Sequence, residues 1–176
     1  MKTCSILVVD DDSSIRKALN RTLKTDGYEV QLATGASEAL EMLRKAAFDL
    51  VLSDHLMPEM TGLEMLKLVR DRRPDVGRVM LTGHADVQVA LNAINHGEIH
   101  RFLTKPWDDT ELKVTLYSVF REVEEGRRNR QLMAMARGQA SILLKLRQAA
   151  PEKFRAIAGA DQMAILAHEL LEPIAA

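Results

Sequence analysis

Five short apolar runs, each followed by a helical pattern, constrain this chain more than any other feature. The runs fall at residues 5–9 (S-I-L-V-V), 29–33, 49–53, 78–82 and 99–104. Between them, apolar residues recur at 3-4 spacing: Ile15, Ala18, Leu19 and Leu23, then Ala39, Leu40 and Leu43, then Leu63, Leu66 and Val69. A fourth helix is expected over 86–96, and a fifth resumes from Asp108 with Leu112, Leu116 and Val119 inward. Gly27 and Pro74 stop two of these helices, and Ser13 or Ser14 can cap the first. Such strand-then-helix units predict an α/β fold, a doubly wound parallel sheet with helices on both faces. The nearly continuous apolar strands fit burial on both sides. With five strands the expected order is 2-1-3-4-5. A ligand then belongs outside the strand C-termini, where the order reverses between the first and third strands.

The alternation ends near residue 121 of 176, so a C-terminal helical extension follows the sheet. An apolar content of 47% and a net charge of -1 describe a soluble globular chain, not a polybasic nucleic-acid binder or a disordered acidic tail. Cys4 is the single cysteine, which excludes an internal disulfide and a cysteine-based metal site. The opening M-K-T-C-S-I-L-V-V-D-D-D meets three acids too soon for a signal peptide. No run approaches the ~20 apolar residues of a membrane span. A cytoplasmic location without membrane contact is the expectation.

The reversal point carries the chemistry. Asp10, Asp11 and Asp12 follow the first strand, and Asp54 ends the third within L-V-L-S-D-H-L-M-P-E-M-T-G. An acid at the mouth of a buried strand needs a partner. Two like charges ~4 Å apart repel by about 4 kcal/mol at an effective dielectric of 20. The cluster must therefore take up protons or bind a cation, and oxygen ligands with room for water suit Mg²⁺. Thr82 ends the fourth strand and Lys105 follows the fifth. A hydroxyl, an ammonium and a metal around one carboxylate form a site for phosphoryl oxygens. Asp12 alone reads as a helix cap or turn former.

I-L-V-V-D-D, L-S-D-H-L-M-P-E-M-T-G, M-L-T-G-H and F-L-T-K-P-W resemble the marks of the response-regulator receiver domain of two-component systems. The resemblance covers about residues 3–122, giving an expected receiver domain at 1–122 and an extension at 123–176. It implies a flavodoxin-like sheet and a phosphorylation switch, not a metabolic enzyme, served by a partner histidine kinase and read by an unknown downstream protein. Carried over by position, Asp54 is the phosphoacceptor. Asp10, Asp11, Asp54 and the main-chain carbonyl of Leu56 hold Mg²⁺. Thr82 and Lys105 bind phosphoryl oxygens, Thr82 and Phe102 form the switch pair, and Lys105-Pro106 is the bond that is cis in the family. The segments around G-H-A-D and F-L-T-K-P-W-D-D further resemble receivers joined to hydrogenase-type regulators, cyclic-dinucleotide phosphodiesterases and hybrid kinases. Thr61 departs from the acid common before Gly62.

Two rival readings compete with this one. Asp10-x-Asp12 mimics the start of a haloacid-dehalogenase-like phosphatase, but Ser14 does not fit that motif and no cap domain does. In the tail, I-L-A-H-E-L-L-E-P-I is similar to the histidine box of sensor kinases. That would make His168 part of a hybrid kinase or phosphotransfer protein, although Leu171 and Glu172 replace the usual residues. The plainer reading is an amphipathic helix that happens to contain a histidine. Charges nearly balance beyond residue 121, no helix-turn-helix is visible, and no direct nucleic-acid binding is expected. Leu132, Met135, Ile142, Leu146 and Ala149 repeat at 3-4 spacing, with Gln139 the polar exception. That seam predicts a homodimer through the C-terminal helices.

Overall fold

The structure, a computed structural model, describes residues 4–149. Five strands alternate with five helices. They are β1 (Ser5–Val9), α1 (Ser13–Thr25), β2 (Glu29–Ala33), α2 (Ala36–Lys45), β3 (Leu50–Asp54), α3 (Gly62–Arg72), β4 (Gly77–Thr82), α4 (Val87–Asn95), β5 (Arg101–Thr104) and α5 (Asp109–Ala149). All pairings are parallel and the strand order is β2-β1-β3-β4-β5, the flavodoxin-like order expected from the sequence.

Alternating residues of the central strands feed two cores. Leu7, Val51 and Met80 face Leu43, Met65 and Ala90 of α2, α3 and α4. On the other side, Val8, Leu52 and Leu81 pack with Leu19 of α1 and Leu112 and Leu116 of α5. Every residue of β3 and β4 is buried, which explains the apolar runs Leu50–Leu52 and Val79–Leu81; Ser53 and Asp54 end β3, and β4 holds buried Arg78 near its start and Thr82 at its end.

Helix starts show where the sequence reading needs correction. Asp12, not Ser13 or Ser14, caps α1: its carboxylate accepts from the Ser14 N–H at 2.7 Å. The fourth helix begins with a 3-10 turn, His84–Asp86, and neither Gly83 nor Asp86 offers a side-chain cap. Thr61 closes a capping box on α3, its hydroxyl accepting from Glu64 N–H while the Glu64 carboxylate accepts from Thr61 N–H. The departure at Thr61 is therefore a substitution of one good cap for another.

The chain divides into two compact units, Met1–Glu124 and Glu125–Ala176. Helix α5 is continuous for 41 residues. Among the described residues, no helix is long and apolar enough to cross a membrane. The segments beyond Pro151, His168 included, lie outside the described residues.

Candidate functional site

Strand register assembles the site. Val9 is paired with Ser53, so the next residues along both strands, Asp10 and Asp54, finish side by side. Thr82 is paired with Thr104, which carries Lys105 to the same end of the sheet. Carboxylate oxygens of Asp10, Asp11 and Asp54 all lie within 4.8 Å of one another. The Lys105 ammonium joins them, 2.8 Å from Asp10 Oδ2 and 2.6 Å from Asp54 Oδ1. The Lys105-Pro106 peptide is cis.

Asp10 is fully buried and Asp54 nearly so, whereas Asp11 is exposed at the rim. Burial pushes the Asp10 carboxyl above its ordinary range, against the pull of Lys105 and of the Asp12 N–H, which donates to Asp10 Oδ1 at 2.8 Å. Burial works against the Lys105 charge as well, but hydrogen bonds to Asp10 and Asp54 outweigh it and raise its pKa. Lys105 thus occupies part of the role a cation would play. Three carboxylates against one ammonium leave net negative charge, and an all-oxygen donor set open to solvent at Asp11 fits a hard divalent ion such as Mg²⁺.

Asp12 does not belong to the acidic triad. It caps α1, and the Ser14 N–H holds its carboxyl below the ordinary range. A D-x-D pair acting together on one ligand is therefore absent, which removes the geometric basis for the phosphatase reading.

Thr82 is fully buried at the end of β4, and its hydroxyl donates to the Gly83 carbonyl at a long 3.3 Å. Phe102 is paired with Met80 on β5, half-buried against the core beneath α4. Leu56 extends its side chain into solvent, 61% exposed, immediately after buried His55. Among the described residues, buried His55 Nδ1 has no hydrogen-bond partner.

The junction after β3 depends on residues that sequence patterns did not single out. A Cβ on Gly62 would lie 1.8 Å from the Asp54 carbonyl oxygen, so only glycine fits. Ser53 Oγ donates to the same carbonyl at 2.9 Å, and Gly62 N–H donates to His55 O at 2.8 Å. The Arg16 guanidinium reaches back from α1 to the Asp10 carbonyl at 2.6 Å. These contacts fix the backbone on both sides of the acidic cluster. Gly62 could have been suspected from the Pro58-to-Gly62 turn, but Ser53 and Arg16 carry no local signal.

Comparison with known proteins agrees with this geometry. The family model of the response regulator receiver domain matches residues 6–117. The chain is 40% identical to the transcriptional regulatory protein ZraR of Escherichia coli over 111 residues, 63% of this chain and 25% of that protein. It is 35% identical to the transcriptional regulatory protein FixJ of Bradyrhizobium diazoefficiens, covering 68% of this chain and 58% of FixJ. It thus spans about a quarter to a little over half of these curated relatives. Among solved structures, the signal receiver domain of an HD domain-containing protein from Pseudomonas fluorescens superposes with a TM-score of 0.68 at 34% identity, covering 73% of this chain and 94% of that one. Sheet order, strand-end residues and sequence together place this chain in the response regulator receiver domain family of two-component signalling proteins.

Proposed function

We propose that residues 1–122 form a phosphorylation switch that takes a phosphoryl group from a phosphohistidine of a partner histidine kinase onto Asp54. The single observation that carries this reading is Lys105 Nζ, seated between Asp10 and Asp54 at 2.8 and 2.6 Å in an otherwise acidic, half-sheltered cleft. A carboxylate of Asp54 attacks phosphorus in line. The P–N bond to the kinase imidazole breaks, its electron pair stays on nitrogen, and that nitrogen takes up a proton. The product is an acyl phosphate, later cleaved when water attacks phosphorus and the Asp54 carboxylate leaves.

Lys105 then transfers its contact from the Asp54 carboxylate to a phosphoryl oxygen, and Thr82 Oγ1 can exchange its weak bond to Gly83 O for another. Mg²⁺, held by Asp10, Asp11, Asp54 and the Leu56 carbonyl, would supply charge neutralisation of the phosphoryl oxygens. The chain is a switch acting in the cytoplasm, with a downstream protein as reader and residues 123–176 as a helical extension.

The test is labelling with an acyl phosphate donor and Mg²⁺ followed by mapping of the modified residue. One phosphoryl group per chain on Asp54, lost in Asp54→Asn, is the expected result. Undiminished labelling of Asp54→Asn would overturn the assignment, and steady turnover of phosphomonoesters would make the chain a phosphatase instead.

A further inference from the structure

Two matching leucine–arginine steps stand side by side on the face of the sheet opposite α1 and α5. Leu40 and Arg44 lie one turn apart on α2, and Leu68 and Arg72 one turn apart on α3. Both helices return from the same end of a parallel sheet and pack together, so they run in the same direction. The two steps line one slot of about 140 Å³. Buried Leu43 and Val69 and half-buried Leu40 and Leu68 supply its apolar lining. Arg73, just past α3, spans the two helices, its Nη2 donating to the Leu43 carbonyl at 2.7 Å. An apolar cavity of roughly 150 Å³ holds a benzene ring, so the slot has room for one Leu or Phe side chain. Charge around it is one-sided. Lys45 pairs with Glu41, Lys67 with Glu98 and Arg70 with Asp71. Arg44, Arg72 and Arg73 close no ion pair among the described residues, and Glu41 feels Arg44 more weakly than Lys45. Arginines in a last turn complement the helix C-terminus on their own account, but that role does not explain the apolar slot they share.

We infer that this groove takes the first two turns of an acidic amphipathic helix from a partner protein, laid antiparallel to α2 and α3. Charge identifies the occupant: three guanidiniums without a carboxylate partner select acids and repel a basic segment. The slot beside them selects one apolar side chain, the anchor of a helix seated in a groove. Direction follows from the helix ends. The arginines sit in or just past the last turns, beside the negative ends of both helix dipoles. An incoming helix N-terminus brings its positive end there, and acids are favoured in its own first turn. A leucine or phenylalanine one turn later then falls between Leu40 and Leu68, ~6 Å along at 1.5 Å per residue. One anchor and solvent-facing charges give weak binding that falls with salt.

The probe is a synthetic alanine-based helical peptide with glutamates through its first turn, one phenylalanine a turn later and a C-terminal fluorescein. Fluorescence anisotropy against the full chain at low salt should give a Kd below about 100 µM, several-fold weaker at physiological salt and above. Glutamines in place of the glutamates, or alanine in place of the phenylalanine, should each weaken binding at least tenfold. The double variant Arg44→Glu with Arg72→Glu should do the same, with the circular dichroism spectrum and Asp54 labelling unchanged. Both arginines are exposed, so the fold does not depend on them. Leu68→Ala should weaken binding at least threefold. No binding, equal binding of the glutamine peptide, or binding indifferent to the arginine pair would overturn the inference. Self-association of the parent that the same pair abolishes would assign the groove to a second copy and overturn it too. None of these outcomes bears on Asp54 as phosphoacceptor.

Discussion

The backbone N–H of Arg78 donates to His100 Nδ1 at 3.1 Å, tying the start of β4 to the residue before β5. The bond requires a neutral imidazole with its proton on the other nitrogen. Burial, then the Arg78 and Arg101 charges, pull His100 down to about 4. The buried Arg78 guanidinium donates in turn to Val76 O and Glu98 O, clamping the turn between α4 and β5.

A depressed histidine pKa sets the sign of the pH dependence. The unfolded chain binds a proton near 6.5 that the folded chain refuses until about pH 4. The stabilisation is complete above pH 6.5 and is lost as pH falls toward 4. His100→Asn keeps an acceptor near the Nδ1 position but does not titrate. Urea melts at pH 7 and pH 4.5 should show the parent losing roughly 1–3 kcal/mol more than this variant, a range that allows for partial exposure. Parallel losses in the two proteins would remove His100 as the cause.

Glu59 is the one described non-glycine residue with a positive φ, 66°, and its side chain is exposed. An L-residue in the left-handed region carries a strain of about 1–2 kcal/mol. Glycine removes that strain but loses more entropy on folding, by roughly 0.5–1 kcal/mol. Glu59→Gly should therefore stabilise the domain by about 0.5–1 kcal/mol and raise Tm by about 2–3 °C in a thermal melt. An unchanged or lower Tm would show that the Glu59 side chain contributes contacts that outweigh the strain.

These two sites show what the sequence concealed. Asp10, Asp54 and Lys105 were legible because each ends an apolar run, and the reversal of strand order brings such ends together. Val51 and Leu52 were legible as strand because both faces are buried. Arg78 and His100 were not legible, since they lie 22 residues apart and their partners are main-chain groups and each other. The start of α4 was legible to within one residue, 86 against Val87, although no side chain caps it, whereas the 3-10 turn His84–Asp86 before it carried no local signal. Asp12 was readable in two ways, and the α1 geometry settles it as the cap.

Asp11 and Asp12 should separate by substitution. Asp11 belongs to the triad at the strand ends, and Asp12 holds the Ser14 N–H. Asp11→Ala should weaken Mg²⁺ binding roughly tenfold or more, since it removes an anionic oxygen ligand. Asp12→Ala should leave that affinity nearly unchanged while lowering stability by about 1 kcal/mol through the lost cap. Trp107, the single tryptophan, adjoins Pro106 and can report Mg²⁺ titrations by fluorescence. Equal losses of affinity would return Asp12 to the binding site.

Thr82 should couple phosphorylation to the outer face of the domain. Its hydroxyl is fully buried and holds only a 3.3 Å bond to Gly83 O, less favourable than a bond to an anionic oxygen. A phosphoryl group on Asp54 offers such an oxygen, and Asp54 is paired with Leu81, the neighbour of Thr82. Moving the hydroxyl would draw the turn after β4 with it, and the uncapped first turn of the next helix offers little resistance. Phe102 is half-buried and can turn further into space the turn vacates. The phosphoryl group thus contacts one of two packings better than the other, which is the requirement for a population shift. Thr82→Ala should accept phosphate on Asp54 with little loss of stoichiometry yet fail to transmit it. Amide hydrogen exchange over residues 83–90 checks this, with a phosphate-dependent change expected in the parent and largely lost in the variant. An undiminished change in Thr82→Ala would place the coupling on another element.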